Sequence, residues 1–231
     1  MLKENLKDVE QNIKNACAKA GRERDSVTLV AVSKTKPVDM LKEIYDEGVR
    51  DFGENKVQEI VAKRENMNDD VRWHMIGHLQ RNKVKYIIED VTMIHSVDSY
   101  RLAEEINVQA KKVNRIVPIL IEVNIAGEDT KFGVRADETL QLVEEIAPLE
   151  NVKIEGLMTI APMVDDPEDN RKWFKALRQM SVDIAEKNID NVSMNELSMG
   201  MTGDYCVAIE EGATLVRVGT GIFGARNYSV N

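Results

Sequence analysis

The fold is decided by one stretch of sequence, Leu29-Val30-Ala31-Val32-Ser33-Lys34-Thr35-Lys36-Pro37. Its four leading apolar residues are typical of a strand buried on both faces, as in a parallel sheet. Pro37 cannot extend sheet pairing and suits the start of a helix. The stretch therefore predicts a buried strand that delivers two lysines to the point where a helix begins.

These two lysines suggest amine chemistry. Lys34 and Lys36 are two positions apart, and on a strand they would point to the same side. Desolvation and a neighbouring cation both lower the pKa of a lysine in general, and a neutral amine attacks carbonyl groups. Lys34 is therefore a candidate for a Schiff base. The alternative interpretation is a pair of exposed lysines in a loop.

Composition narrows the class of protein. The 231 residues are 43% hydrophobic, enough for one barrel-sized core, and the net charge is −9. This charge argues against general binding of nucleic acid or anionic membranes. No apolar run is long enough for a membrane span, and the first residues lack the apolar region of a signal peptide. Cys17 and Cys206 form neither a disulfide framework nor a zinc spacing. We expect a soluble cytoplasmic protein.

Alternating strands and helices indicate an α/β fold. Eight strands are predicted near 27–33, 49–55, 71–76, 91–95, 116–123, 152–157, 195–197 and 214–218. Helices are predicted at 2–20, 38–47, 56–66, 80–87, 99–113, 136–147, 169–188 and 204–211. This alternation implies a parallel sheet with right-handed crossovers. We predict a single domain over 1–231, a (β/α)8 TIM-type barrel with an extra N-terminal helix. An open doubly wound sheet is the alternative.

In such a barrel the functional residues follow the strands, and loops after the last two strands often bind phosphate. The segment 198–203 (SMGMTG) offers a hydroxyl, flexible backbone N–H groups and the start of a helix. Gly219-Thr220-Gly221 offers a second hydroxyl between glycines. Each cluster alone is compatible with an ordinary turn. Together with Lys34 they favour a small phosphorylated carbonyl compound as ligand.

Arg217 and the histidines complete the candidate residues. Arg217 alternates with two valines on the last strand and should face the barrel interior. It could form an ion pair with Glu54 or Glu196, or donate to a ring nitrogen of a ligand. The three histidines lack a paired zinc spacing, and we predict no metal site. His74 is expected to be a hydrogen-bonded wall residue and His78 to line a cleft.

Several motifs together identify a family. They are 32–37 (VSKTKP), 52–55 (FGEN), 74–80 (HMIGHLQ), 122–124 (EVN), 156–158 (GLM), 197–201 (LSMGM) and 217–224 (RVGTGIFG). The chain resembles the pyridoxal phosphate homeostasis protein family, which is similar to the barrel domain of alanine racemase without its β-rich second domain. The resemblance implies pyridoxal 5′-phosphate (PLP) held as a Schiff base.

The same resemblance implies residue roles. Lys34 is implied as the Schiff-base lysine, with Lys36 as a second lysine nearby. Arg217 is implied at the pyridine nitrogen and Asn55 beside the ring. At the phosphate it implies Ser198, Gly219 and Thr220, with backbone from Met199 and Gly200. Lys131 matches a lysine linked to a second PLP-accepting position.

Three functions remain to be compared. The first is a PLP carrier acting in PLP homeostasis and transfer, with little or no catalysis and apo-PLP enzymes as possible acceptors. The second is a PLP-dependent amino-acid racemase, and the third is a cofactor-free Schiff-base aldolase. Arginine at the ring nitrogen disfavours carbanion chemistry, and a racemase needs a second base. No tyrosine among Tyr45, Tyr86, Tyr100, Tyr205 and Tyr228 is predicted at a strand end. The carrier, as a monomer or weak dimer, is therefore the prediction.

Overall fold

A closed ring of eight parallel strands forms the centre of the computed structural model, which describes residues 1–128 and 130–224. The strands are β1 (Thr28–Val32), β2 (Asp51–Glu54), β3 (Arg72–Met75), β4 (Val91–Val97), β5 (Val117–Asn124), β6 (Val134–Arg135), β7 (Val152–Met158), β8 (Val192–Met201) and β9 (Leu215–Val218). The ring runs β1-β2-β3-β4-β5-β7-β8-β9 and closes where β9 pairs with β1. The two-residue β6 pairs only with the end of β5 in these ranges. The predicted barrel is confirmed, and the open sheet is wrong.

Eight α-helices surround the ring in the part of the chain that the structure describes. They are α1 (Leu2–Lys19), α2 (Val38–Asp46), α3 (Val57–Arg64), α4 (Tyr100–Lys112), α5 (Thr139–Ile146), α6 (Arg171–Ala185), α7 (Tyr205–Glu210) and α8 (Thr220–Phe223). The predicted helix at 80–87 is instead a 3₁₀-helix, Arg81–Tyr86. Its hydrogen bonds join residues i and i+3, as from Lys83 N to Gln80 O at 2.9 Å.

The extra N-terminal helix α1 joins the beginning of the chain to its last units. Its apolar stripe, with Leu6, Val9 and Ile13 spaced three and four apart, is buried. The helix packs against α7 and α8, and Asn5 Nδ2 donates to Ile222 O at 2.9 Å. An ion pair at 2.7 Å also joins Lys19 of α1 to Glu210 of α7.

The first strand ends earlier than the sequence predicted. β1 stops at Val32, and the chain turns at once, with Lys36 N donating to Ser33 O at 3.0 Å. Thr35, at φ 64°, takes the left-handed conformation within this turn. Strand alternation therefore does not apply to Lys34 and Lys36, and the argument that they share one side is wrong.

The seventh barrel strand is longer than predicted. β8 continues to Met201, so Ser198, Met199 and Gly200 belong to a strand rather than to a glycine-rich loop. A Cβ on Gly200 would lie 2.6 Å from the Cβ of Ala208. This glycine therefore allows β8 to pack closely against α7, a purpose that the sequence alone does not reveal.

The structure was also searched for membrane-spanning helices and for metal sites. Among residues 1–128 and 130–224, no helix is both long and apolar enough to cross a bilayer. The same ranges contain no group of three potential protein ligands placed to hold a metal ion. Tyr228 and the remainder of 225–231 in the predicted domain lie outside the described residues.

Candidate functional site

Four adjacent strands gather the candidate residues. The ring places β2, β1, β9 and β8 side by side, and their carboxyl ends form one arc of the barrel mouth. Eight residues predicted to bind the cofactor lie on this arc: Lys34, Asn55, Ser198, Met199, Gly200, Arg217, Gly219 and Thr220. Closure of the barrel therefore brings together residues from both ends of the chain.

A buried ammonium group holds the turn that carries Lys34. Lys63 Nζ, from α3, donates to Ser33 O at 2.8 Å and to Glu54 Oε1 at 2.7 Å. The Ser33 hydroxyl donates to the same Glu54 oxygen at 2.6 Å. Burial raises the pKa of Glu54 to about 7, while the nearby Lys63 charge and the two hydrogen bonds oppose this rise. Helix α3 thus fixes the backbone immediately before Lys34.

The backbone immediately after Lys34 is fixed from the same helix. Glu59 Oε2 accepts from Thr35 N at 2.6 Å and from Lys63 Nζ at 2.9 Å. The left-handed Thr35 is therefore tied through its own N–H group. Lys34 itself is half-buried between these two anchored residues. Such a turn holds its lysine in a defined place at the barrel mouth.

The second lysine of the motif lies against the last helix. Lys36 Nζ donates to Phe223 O at 3.1 Å and to Gly224 O at 3.3 Å. These carbonyls are at the C-terminal end of α8, where a cation is favoured. Lys36 therefore connects the turn after β1 to the helix after β9.

Arg217 is a buried cation inside the barrel. Its side chain is 3% exposed, and it donates to Ser198 Oγ at 2.5 Å and to Thr159 O at 2.8 Å. Burial lowers the pKa of Arg217 to about 10, with the negative charges of Glu122 and Asp204 opposing the shift. The guanidinium therefore stays charged at neutral pH.

The alternative considered for Arg217, an ion pair with Glu54 or Glu196, is wrong. Glu54 faces Lys63, as described above, and Glu196 accepts a hydrogen bond from the Thr214 hydroxyl. The carboxylate whose charge acts most strongly on Arg217 is that of Glu122. Burial raises the pKa of Glu122 to about 7, Asp98 adds to this rise, and Arg217 opposes it.

A chain of hydrogen bonds runs from Ser198 across the barrel interior. His95 Nδ1 lies 2.8 Å from Ser198 Oγ, and its Nε2 lies 2.9 Å from His74 Nδ1. His74 Nε2 lies 2.9 Å from Asp51 Oδ1, and Arg72 forms a bidentate pair with Asp51 at the outer end. His74 is thus the hydrogen-bonded wall residue that was predicted. Sequence analysis missed the connection to His95 and Asp51, because the residues lie on different strands whose interior faces meet only in the closed ring.

The ends of β8 and β9 are joined by a hydroxyl. Gly221 N donates to Thr202 Oγ1 at 3.2 Å, which ties the turn after β8 to the first turn of α8. Thr220 is exposed at the start of that helix. A Cβ on Gly219 would lie 3.3 Å from Val32 O, so the chain passes close to the end of β1 here. Backbone and hydroxyl groups therefore converge beside the Lys34 turn.

Asn55 and His78 lie on neighbouring strand ends. Asn55 follows β2 directly and is half-buried, and a Cβ on Gly77 would lie 2.6 Å from Asn55 O. The ring of His78 stacks on Phe132, with centroids 4.2 Å apart. His78 also lines a cavity of about 620 Å³ beside the ends of β3 and β4, and its contribution to a ligand site stays a prediction.

Lys131 is separate from the arc. It lies in the loop after β5, and β5 stands opposite β1 in the ring. Lys131 Nζ donates to Ala161 O at 3.2 Å and forms an ion pair with Glu128. The structure therefore places Lys131 across the mouth from Lys34, and its link to a second PLP position stays a prediction.

Comparison with known proteins supplies relatives over almost the whole chain. Residues 5–227 match the family model for the alanine racemase N-terminal domain. A pyridoxal phosphate homeostasis protein of Aquifex aeolicus is 46% identical, over 97% of this chain and 98% of its own length. The protein of the same name from Escherichia coli is 38% identical over 97% of each chain.

Comparison with solved structures finds proteins of the same fold. PipY of Synechococcus elongatus, with PLP bound, superposes with a TM-score of 0.84 at 33% identity, covering 97% of this chain and all of PipY. An alanine racemase of Clostridium difficile superposes with a TM-score of 0.76 at 20% identity. That match covers 99% of this chain but 57% of the racemase, and it shows the fold alone.

Proposed function

This chain belongs to the alanine racemase N-terminal domain family, and within it to the pyridoxal phosphate homeostasis proteins; from this premise we propose that it holds PLP as a Schiff base on Lys34. Its function would then be intracellular PLP homeostasis and transfer. The observation that carries the proposal is the arc of four strands, where the anchored lysine turn, the buried guanidinium and the Thr220 hydroxyl converge.

The chemistry of these groups fits PLP. The aldehyde needs a lysine, the phosphate needs hydroxyl and backbone donors, and the pyridine nitrogen needs a hydrogen-bonding partner. Lys34 would hold the aldehyde carbon, and Thr220 with the backbone of Gly219, Met199 and Gly200 would hold the phosphate. Gly219 has no side chain, and the Cβ that it lacks would lie 3.3 Å from Val32 O, so its backbone passes close to the end of β1.

Arg217 favours a carrier over a catalyst. PLP, when bound, supplies a ring that can accept electron density from an attached amino acid, most effectively when its nitrogen is protonated. Arg217 has only donors and stays cationic, so it offers a hydrogen bond without supplying a negative charge to hold a proton there. Asn55 would contact the ring from the neighbouring strand. We propose that the protein has little or no catalytic activity.

A racemase would also need a base on the second face of its substrate. Tyr45 is bound to Asp70 at the amino end of the barrel, and Tyr205 is bound to Asn12 of α1. Tyr100 begins α4 three residues after β4, nearer a strand end than predicted, and it packs against the apolar core. These placements favour the carrier. As partners we propose PLP and apo-PLP enzymes, with the protein cytoplasmic and a monomer or weak dimer.

The test is spectroscopic. Purified protein incubated with PLP should gain a visible absorption band, and borohydride should fix PLP covalently on the peptide that contains Lys34. Lys34→Ala should lose both signals. Lys153→Ala, which removes a surface lysine paired with Glu155, is the control and should keep the band at full strength. A full-strength band and borohydride adduct in Lys34→Ala would show that another lysine holds PLP.

A stereochemical assay distinguishes the function of a PLP carrier from that of a racemase. PLP-loaded protein is incubated with L-amino acids in deuterated water, and exchange at Cα and formation of the D-isomer are followed. We expect turnover far below about 1 s⁻¹, the lower end of ordinary enzyme rates. Turnover at or above that rate would restore the racemase.

A further inference from the structure

We propose that Asp51, His74 and His95 are positioning residues for the cofactor site, acting through a one-way chain of hydrogen bonds that orients Ser198 and, through it, Arg217. The chain crosses the barrel from the amino end of β2 to the interior faces of β8 and β9. What Arg217 is positioned to bind rests on the proposed function. The direction of the chain depends only on the geometry of the protein.

The direction begins at Asp51. Although burial opposes it, the hydrogen bonds from Arg72 and His74 hold the pKa of Asp51 at about 2, so this carboxylate only accepts. His74 must therefore donate from Nε2. In a neutral ring the other nitrogen, Nδ1, then carries no hydrogen and has to accept. The partner of that nitrogen, His95 Nε2, must donate to it across 2.9 Å.

The same reasoning continues to Arg217. Burial, with the charge of Arg217 adding to its effect, lowers the pKa of His95 well below its usual value, so this ring is neutral. With hydrogen on Nε2, its Nδ1 accepts, and the Ser198 hydroxyl supplies the donor at 2.8 Å. The Ser198 oxygen is then an acceptor for Arg217 at 2.5 Å. Each of the four hydrogen bonds has one donor and one acceptor, and every donor points towards Asp51.

The opposite direction would need an extra buried charge. If His95 donated to Ser198, its Nε2 would have to accept, and His74 would need hydrogens on both nitrogens. That doubly protonated ring, with a side chain only 4% exposed, would share Asp51 with the already bidentate Arg72. Burying a charge beside a carboxylate that is already paired is unfavourable. The neutral chain avoids this cost.

The consequence concerns Ser198. A serine hydroxyl has one hydrogen, and in this chain that hydrogen is committed to His95. Ser198 therefore does not donate to a phosphate, which is the contribution that the family resemblance implied for it. Its function is to present a lone pair to Arg217 and fix the guanidinium plane. The phosphate then depends on Thr220 and on backbone N–H groups.

The first test needs no cofactor. The full chain has three histidines, and labelling them with nitrogen-15 gives three ring spectra that report directly which nitrogen carries hydrogen. From the geometry of the hydrogen bonds, we expect each of the two buried rings, His74 and His95, to carry its hydrogen on Nε2 and none on Nδ1. The exposed His78 serves as the internal reference. Ser198→Ala should shift the Nδ1 signal of His95 and leave His78 unchanged. Hydrogen on Nδ1 of either buried ring overturns the proposal.

The second test measures PLP affinity. Asp51→Asn should weaken PLP binding by roughly 10- to 100-fold, the range seen when groups that orient metal ligands are removed. Asp70→Asn is the matched control, because Asp70 also pairs with an arginine, Arg50, at the amino end of the barrel but lies outside the chain. This control should bind PLP like the wild type.

A double variant separates positioning from simple loss of stability. The Ser198→Ala substitution already breaks the series of hydrogen bonds between Asp51 and Arg217. Adding Asp51→Asn to this variant should therefore cost no further PLP affinity. A full additional loss would show that Asp51 only supports the fold and would overturn its positioning function. If the wild type binds no PLP, the proposed function fails, while the histidine spectra still decide the direction of the chain.

Discussion

Replacing Lys63 tests how the Lys34 turn is held. Lys63→Met keeps the length of the side chain and removes the ammonium that bonds Ser33 O, Glu54 and Glu59. Glu54 then remains buried without its cation. Its pKa, already raised to about 7 with Lys63 present, must rise further because the largest opposing influence is gone. The variant should therefore lose stability in a way that depends on pH.

The sign and size follow from proton linkage. The usual pKa of Glu54 is 4.5, so between pH 4.5 and about 7 the native wild type holds a proton that the unfolded chain has released. Wild-type stability falls over that window and is level, with respect to this group, above it. In Lys63→Met the fall continues above pH 7, by about 1.4 kcal/mol for each pH unit. Between pH 7 and 9 the difference in unfolding free energy between the wild type and Lys63→Met should therefore widen by up to about 3 kcal/mol. Breaking a buried ion pair typically costs roughly 3–5 kcal/mol.

The measurement is urea unfolding of the unliganded protein, followed by circular dichroism at pH 6, 7, 8 and 9. It gives the difference in unfolding free energy between the wild type and Lys63→Met at each pH. Lys153→Met is the matched control, because Lys153 pairs at 2.6 Å with Glu155 on the surface, where its side chain is 46% exposed. The control should change stability by less than about 1 kcal/mol, equally at each pH. A gap for Lys63→Met that stays constant from pH 6 to 9 would refute the argument that Lys63 holds the charge of Glu54.

Three other perturbations test the site and the barrel. Thr220→Ala should weaken PLP binding by about 1.5–3 kcal/mol, roughly 10- to 150-fold, and leave pyridoxal binding unchanged in parallel titrations; equal losses would indicate a structural function. Lys36→Ala should retain PLP but release it faster in stopped-flow transfer to an acceptor, and an unchanged rate would count against Lys36 in transfer. Gly156→Ala would place a Cβ 1.8 Å from Glu196 O and should destabilise the protein by about 3 kcal/mol in urea. Its control, Gly203→Ala, has no atom within 4 Å of the new Cβ and should unfold like the wild type.

The barrel could be predicted from the sequence because the patterns that indicate it are local. Alternation of apolar strands with amphipathic helices needs only neighbouring residues, and so does the start of a helix after Pro37. The early end of β1 depends on a distant residue instead. Ser33 is held by Lys63, thirty positions away, which no local pattern reveals.

The same distinction applies inside the site. The motifs after β1 and β9 marked Lys34 and Thr220, whereas His95 and Ser198, 103 positions apart, meet only once the ring has closed. Gly200 was ambiguous for another reason. A glycine signals a flexible loop or a close approach equally well, and here it is the packing of β8 on Ala208 that requires it.

The attachment of α1 to α7 and α8 has a consequence for synthesis on the ribosome. β1 and α1 leave the ribosome first, but the neighbours that complete them, β9 and α8, are made nearly two hundred residues later. Domains fold as their chains emerge, yet the strand that carries Arg217 and the helix that begins at Thr220 arrive after all the other barrel strands. If Arg217 and Thr220 bind PLP as proposed, a nascent chain presents the lysine turn long before the rest of the site is made. Retention of PLP would then report that translation has passed the last strand and that the two ends of the barrel have met.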